Sequence, residues 1–84
     1  MLNAGDIIRY RRVDPVASSK ADHRGGVWVY DMGIVTTAYH RGEKGFPAGQ
    51  DFTYLARIHF PQRGHTRTIL STNFARFGEV VCRA

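Results

Sequence analysis

Cysteine is nearly missing from this chain: Cys82 is the only one, so no intrachain disulfide can brace the fold. Only Arg83 stands beside it to activate a thiol, and a small apolar residue in a terminal strand is the simpler reading. No apolar run approaches the roughly 20 residues that cross a bilayer. Met1 to Asp6 also lacks a positive region followed by an apolar stretch, so a cytoplasmic protein without membrane contact is expected. Helical periodicity, heptads, internal repeats and low-complexity tracts are absent too.

Recognisable chemistry is just as sparse. His23, His40, His59 and His65 follow no metal-ligand spacing, and no C-x-x-C pair exists. No G-x-S-x-G elbow is present, and Gly42, Gly45 and Gly49 fit neither a dinucleotide nor a Walker fingerprint. Asp6, Asp14, Asp22, Asp31 and Asp51 all fall at turns or strand ends, where aspartate commonly bonds its own backbone. His59 and His65 flank one tight turn, and solvent-facing strand residues explain them better than a metal pair. The expectation is therefore a non-enzymatic protein with no metal and no cofactor.

What the chain does have is an ordinary globular composition over 84 residues, 43% of them hydrophobic and 12% aromatic. That length allows one domain with a modest core. The net charge is +5, and of the twelve basic residues only Lys20 and Lys44 are lysine. Arginine suits bidentate contacts to phosphate or carboxylate and stacks on flat rings. An anionic partner and an arginine-rich source proteome explain this bias equally well.

The apolar residues come in short alternating or β-branched runs separated by Gly, Pro, Asp and Asn. Ile7 to Val13 reads as a strand with Ile8 and Tyr10 on one face and Ile7, Arg9 and Arg11 on the other. Asp14-Pro15 ends it, and a polar, exposed, mobile loop is expected to Gly26. Val27 to Tyr30 reads as a short strand or the rising side of that loop, Asp31-Met32-Gly33 as a turn or bulge, and Ile34 to Tyr39 as a strand. A glycine-rich loop covers 40–51. Phe52 to Phe60 forms the clearest strand, with Tyr54, Ala56, Ile58 and Phe60 on one face. Pro61 to Gly64 then turns the chain back into His65 to Leu70. Ser71-Thr72-Asn73 can cap a single 3₁₀ turn over Phe74 to Phe77, before a last strand at Glu79 to Cys82.

Five short strands with one helical turn before the last must curl to bury an apolar face. This order resembles the SH3-like barrel, on Gly5-Asp6-Ile7-Ile8-Arg9, Gly33-Ile34-Val35, Ala56 to Phe60, and Thr72-Asn73-Phe74 leading to Glu79-Val80-Val81. The resemblance implies an all-β, five-stranded barrel, and no activity, because that class hosts many functions. Ala56-Arg57-Ile58 and Thr72-Asn73-Phe74-Ala75 are similar to segments of the PsaE-type subunit of photosystem I, although the turn is one asparagine short. The plasmid type II dihydrofolate reductases are similar in fold, but their Val-Gln-Ile-Tyr strand would fall on Arg67-Thr68-Ile69-Leu70, which has neither the glutamine nor the tyrosine.

The remaining signal is arginine interleaved with aromatics. Arg9, Arg11, Arg57 and Arg67 are expected on outward strand faces, and Trp28, Tyr30 and Tyr39 near the rims of the long loops at 14–26 and 40–51. Arginines beside stackable rings are what single-strand binders use. Loop-plugging or core roles for Trp28 and Tyr39, with a merely solvated arginine face, are the other reading. A binding module for nucleic acid or another polyanion is the leading expectation. The alternatives are an accessory barrel that binds an acidic protein or itself, and an enzyme whose site forms at a symmetric oligomer interface.

Overall fold

The computed structural model describes residues 1–14 and 27–84. The loop expected to be mobile, from Pro15 to Gly26, lies outside the described residues. The chain order is β1 (Ile7–Asp14), β2 (Val27–His40), β3 (Tyr54–Phe60), β4 (His65–Leu70), α1 (Ser71–Phe77) and β5 (Gly78–Cys82). Among the described residues the strands form one antiparallel sheet in the order β4-β3-β2-β1-β5, so the fold is all-β with one short helix. No helix in this region is long and apolar enough to cross a membrane.

The sequence suggests a break at Asp31-Met32-Gly33, but β2 runs through it as one strand of 14 residues. Its first half pairs with β1, from Asp14↔Val27 to Ile7↔Ile34. Its second half pairs with β3, from Ile34↔His59 to His40↔Tyr54, with a bulge between Val35 and Thr37. Ile34 alone is paired on both sides. Gly33 serves this arrangement by its lack of a side chain, not by an unusual backbone angle. A Cβ there would come within 2.5 Å of Ile58 Cγ2 and 2.9 Å of Phe60 Cε1.

The alternation read from the sequence holds in β1 and β3. Ile8 and Tyr10 are buried, as are Tyr54, Ala56, Ile58 and Phe60, and Leu2, Val35, Ile69 and Phe74 complete the cluster. Burial pushes the Tyr10 and Tyr54 phenols up.

The expected 3₁₀ turn is instead a seven-residue α-helix, and the expected side-chain cap does not form. Ser71 is its first residue, and the hydroxyl accepts the Thr53 N–H at 3.0 Å. With no cap bond and only two turns, α1 depends on burial of Phe74 for its place. Gly78 ends the helix where any Cβ would strike the Phe74 ring.

Asp6 ties the two ends of the described chain together. Its buried carboxylate accepts the N–H groups of Asn3 and Ala84, each at 2.9 Å, with the Arg83 guanidinium at 3.5 Å. The hydrogen bond from Ala84 and then that from Asn3 hold its pKa below the usual carboxylate range, against desolvation. The adjoining Gly5 N–H donates to Val35 O at 2.8 Å, and Val35 N–H donates back to Asp6 O at 2.9 Å. This latch fixes the N-terminal turn to the middle of β2.

Two outcomes follow from this packing. Gly33→Ala will destabilise the protein by about 1–3 kcal/mol in urea unfolding, because the methyl overpacks Ile58 and Phe60; an unchanged midpoint would contradict the close approach. A depressed carboxylate stabilises fully above its unfolded pKa and ceases to as pH falls through the lower native value. Asp6→Asn will therefore lose about 1–3 kcal/mol near neutral pH and show a shallower loss of stability below pH 4 than the wild type. Parallel acid limbs for the two proteins would remove Asp6 from this role.

Candidate polyanion-binding face

β1 and β2 continue past the point where β5 stops. The β1–β5 ladder ends at Tyr10↔Gly78, whereas β1 stays paired with β2 out to Asp14↔Val27. Beyond that point β1 and β2 form a two-stranded ribbon with no third strand beside it among the described residues. On the face away from the core, Arg11, Trp28 and Tyr30 belong to the ribbon, and Arg9 and Met32 stand just before it, where β5 still pairs with β1 at Arg9↔Glu79, by the register Arg9↔Met32 and Arg11↔Tyr30.

Cross-strand diagonals bring the long side chains together. The Arg9 guanidinium lies over the Tyr30 ring at 4.7 Å, and that of Arg11 over the Trp28 ring at 5.1 Å. Phe77, at the end of α1, extends this ladder. Its ring stacks on Trp28 with centroids 6.1 Å apart and planes 25° apart, and Arg11 lies 5.6 Å above it. Arg76 covers the same ring at 5.5 Å. The arginines are also anchored: Arg9 Nη2 donates to Glu79 Oε2 at 2.9 Å, and Arg11 Nη2 to the Arg76 carbonyl at 2.8 Å. Glu79 pushes the Arg9 pKa up, chiefly through its hydrogen bond. Trp28 and Tyr30 remain 49% and 52% exposed, which leaves ring surface open for stacking.

Of the seven residues singled out in the sequence, the structure therefore gathers four: Arg9, Arg11, Trp28 and Tyr30. Arg57 shares their face and is exposed, but it pairs with Thr37 and Thr68 farther along the sheet, outside the ladder. Arg67 is on the other face. It pairs with the core residue Ile58, and its guanidinium covers the inner ring of Tyr10 at 5.8 Å. Alternation misplaces it because β4 is an edge strand whose inner positions at this end stay exposed. Tyr39 is separated from Trp28 by eleven strand positions, roughly 35 Å at the usual rise. It is partly covered where Gly45 of the loop approaches, since a Cβ at Gly45 would come within 2.9 Å of its ring.

Three members of the site are not among the seven: Arg76 and Phe77 from the helical turn, and Glu79 from the last strand. Phe74 and Phe77 lie three residues apart and share a side of the turn in either helix type, but nothing local shows that this corner packs against Trp28 and Arg11 of distant strands. His59 and His65 pair with Thr66 and Phe60 respectively, which puts them on opposite faces. No group of three His, Cys, Asp or Glu side chains converges among the described residues. The hollow of about 520 Å³ under the 41–50 loop has its one guanidinium committed, with Arg41 donating to the carbonyls of Gln50 at 2.7 Å and Phe52 at 3.2 Å.

Comparison with protein-family models, with curated proteins and with solved structures gives no match for this chain.

Proposed function

We propose that this protein is a non-enzymatic binding module that holds single-stranded nucleic acid on the arginine–aromatic ladder of the β1–β2 ribbon. The observation that carries this reading is the alternation of guanidinium and ring on one open face: Arg9 on Tyr30, then Arg11 on Trp28 and Phe77, then Arg76 on Phe77. Phosphates take charge from guanidinium groups, and unpaired bases stack on exposed rings. The ring contacts and the bonds to Glu79 and the Arg76 carbonyl hold Arg9 and Arg11 in place before any ligand arrives, which lowers the ordering cost of binding. The +5 net charge supports the same direction of attraction over longer range.

The finer fold reading belongs to this proposal. One long strand serving two successive ladders, with a helical turn between β4 and β5, supports an SH3-like barrel. A second reading has its own support. Ile7, Met32, Ile34 and Val81 are exposed, and Ile7 pairs directly with Ile34, so an apolar patch adjoins the ladder. Such a patch suits contact with a protein surface or a second copy.

A short mixed-sequence single-stranded oligonucleotide will quench Trp28 fluorescence, with an affinity that falls steeply as salt rises. Single-strand binding loses about 0.7 in the log–log salt slope per phosphate contact. Arg11→Ala will therefore weaken binding and flatten that slope by roughly one contact, while Arg57→Ala leaves both nearly unchanged. Trp28→Ala will weaken binding about tenfold or more through lost stacking with little change of slope. No binding at low salt, together with a mass that rises with protein concentration, would favour the apolar-patch reading instead.

A further inference from the structure

The fork where β5 stops and the β1–β2 ribbon continues holds a cleft of about 140 Å³, lined by Arg11, Tyr30, Arg76, Phe77, Gly78 and Glu79. Pockets for drug-sized ligands run to about 300–1,000 Å³, so this one suits a single flat ring. Two of its lining residues are aromatic and two are guanidinium-bearing, and Gly78 contributes only backbone. All four side chains favour a planar π-system.

One group in the cleft differs in kind. Glu79 is the sole acidic residue there, and its carboxylate is half used: Oε2 accepts from Arg9, while Oε1 has no hydrogen-bond partner among the described residues. Arg9 anchors the carboxylate of this lining residue through Oε2, which leaves Oε1 as an acceptor among the described residues. An ionised carboxylate accepts hydrogen bonds and cannot donate them. It therefore rewards a ring that turns an amino group toward it and opposes one that presents a carbonyl oxygen.

The geometry points to a base-reading subsite in this cleft, in which Glu79 accepts a hydrogen bond from the exocyclic amino group of one unpaired base and so selects cytosine over thymine or uracil. This rests on the nucleic-acid reading above and adds specificity to it. Cytosine and thymine make the sharp comparison. Both are single rings on the same backbone, and the 4-position carries a donor in one and an acceptor in the other. Arg11 and Arg76 also line the cleft, where their donors suit the 2-carbonyl that both bases carry, so discrimination at the 4-position falls to Glu79.

The test is a competition between short deoxycytidine and thymidine homo-oligomers at neutral pH, where cytosine is unprotonated, read by Trp28 fluorescence. The wild type is expected to bind the cytosine strand about tenfold more tightly, the lower range for one good polar contact to a base. Glu79→Gln, whose amide can both donate and accept, is expected to bring that ratio close to one. Arg9→Ala, which keeps the carboxylate and removes its anchor, is expected to retain a preference for cytosine while losing affinity for both strands. Thermal unfolding of each variant confirms that the fold persists, as the exposure of Glu79 implies. Equal wild-type binding of the two strands would overturn the subsite and leave the nucleic-acid reading standing. A cytosine preference that survives Glu79→Gln would overturn the role of Glu79. Failure to bind either strand at low salt would overturn the underlying reading, and the subsite with it.

Discussion

One strand in two ladders is the constraint on which this structure depends. β2 gives its first half to β1 and its second half to β3, and the change of partner happens within a residue of Gly33. Val35, Ile58 and Phe60 share one core cluster beside this point, and a side chain at Gly33 would strike Ile58 and Phe60. Because β5 stops at Tyr10 while β1 and β2 carry on, the same geometry leaves a two-stranded ribbon outside the core. A bare ribbon of this kind is marginal in water and needs cross-strand side-chain contacts to persist. The Arg11–Trp28 pair provides one within the ribbon, and Arg9 over Tyr30 ties its base to the three-stranded part. The candidate site is thus also what stiffens the ribbon.

The two roles are compatible because stacking uses the face of a guanidinium and phosphate uses its edge. Arg9 and Arg11 lie over rings while Nη2 of each donates, to Glu79 and to the Arg76 carbonyl respectively. The Arg9–Glu79 pair is well exposed, so solvent screens it and an incoming anion competes for the same edge at modest cost. On the opposite face, Arg12 is held at 2.7 Å by the more sheltered Asp31, and Arg67 lies over Tyr10. Charge alone does not separate these arginines; register and partner do.

Much of this was legible in the sequence, for reasons that particular residues make plain. Alternation found the inner faces of β1 and β3 because both are flanked by strands and buried on one side, so Ile8, Tyr10 and Tyr54 to Phe60 obey a strict period of two. It failed at Asp31-Met32-Gly33, where the glycine looked like a turn and is a steric concession to Ile58 and Phe60 from a strand far along the chain. It failed again at Arg67, on an edge strand whose exposure hides which side faces the core. Ser71, Thr72 and Asn73 suggested capping, yet the Ser71 hydroxyl is taken by Thr53, a partner that no local pattern reveals. Arg9, Arg11, Trp28 and Tyr30 came from interleaved arginine and aromatic residues. Arg76, Phe77 and Glu79 joined only when the corner between α1 and β5 was folded against β1.

The central claim is that one face of the β1–β2 ribbon, with the α1–β5 corner, is where this protein meets an unpaired nucleic-acid strand. Amide and side-chain NMR shifts, followed during titration with a short single-stranded oligonucleotide, test it most directly. The account predicts that the largest changes fall on Arg9 to Arg11, on Trp28 (including its indole N–H) and Tyr30, and on Arg76 to Glu79, with Tyr39, Arg57 and Arg67 nearly still. Changes centred on the 41–50 loop, on the Arg57 to Thr68 region, or on no residue at all would contradict it.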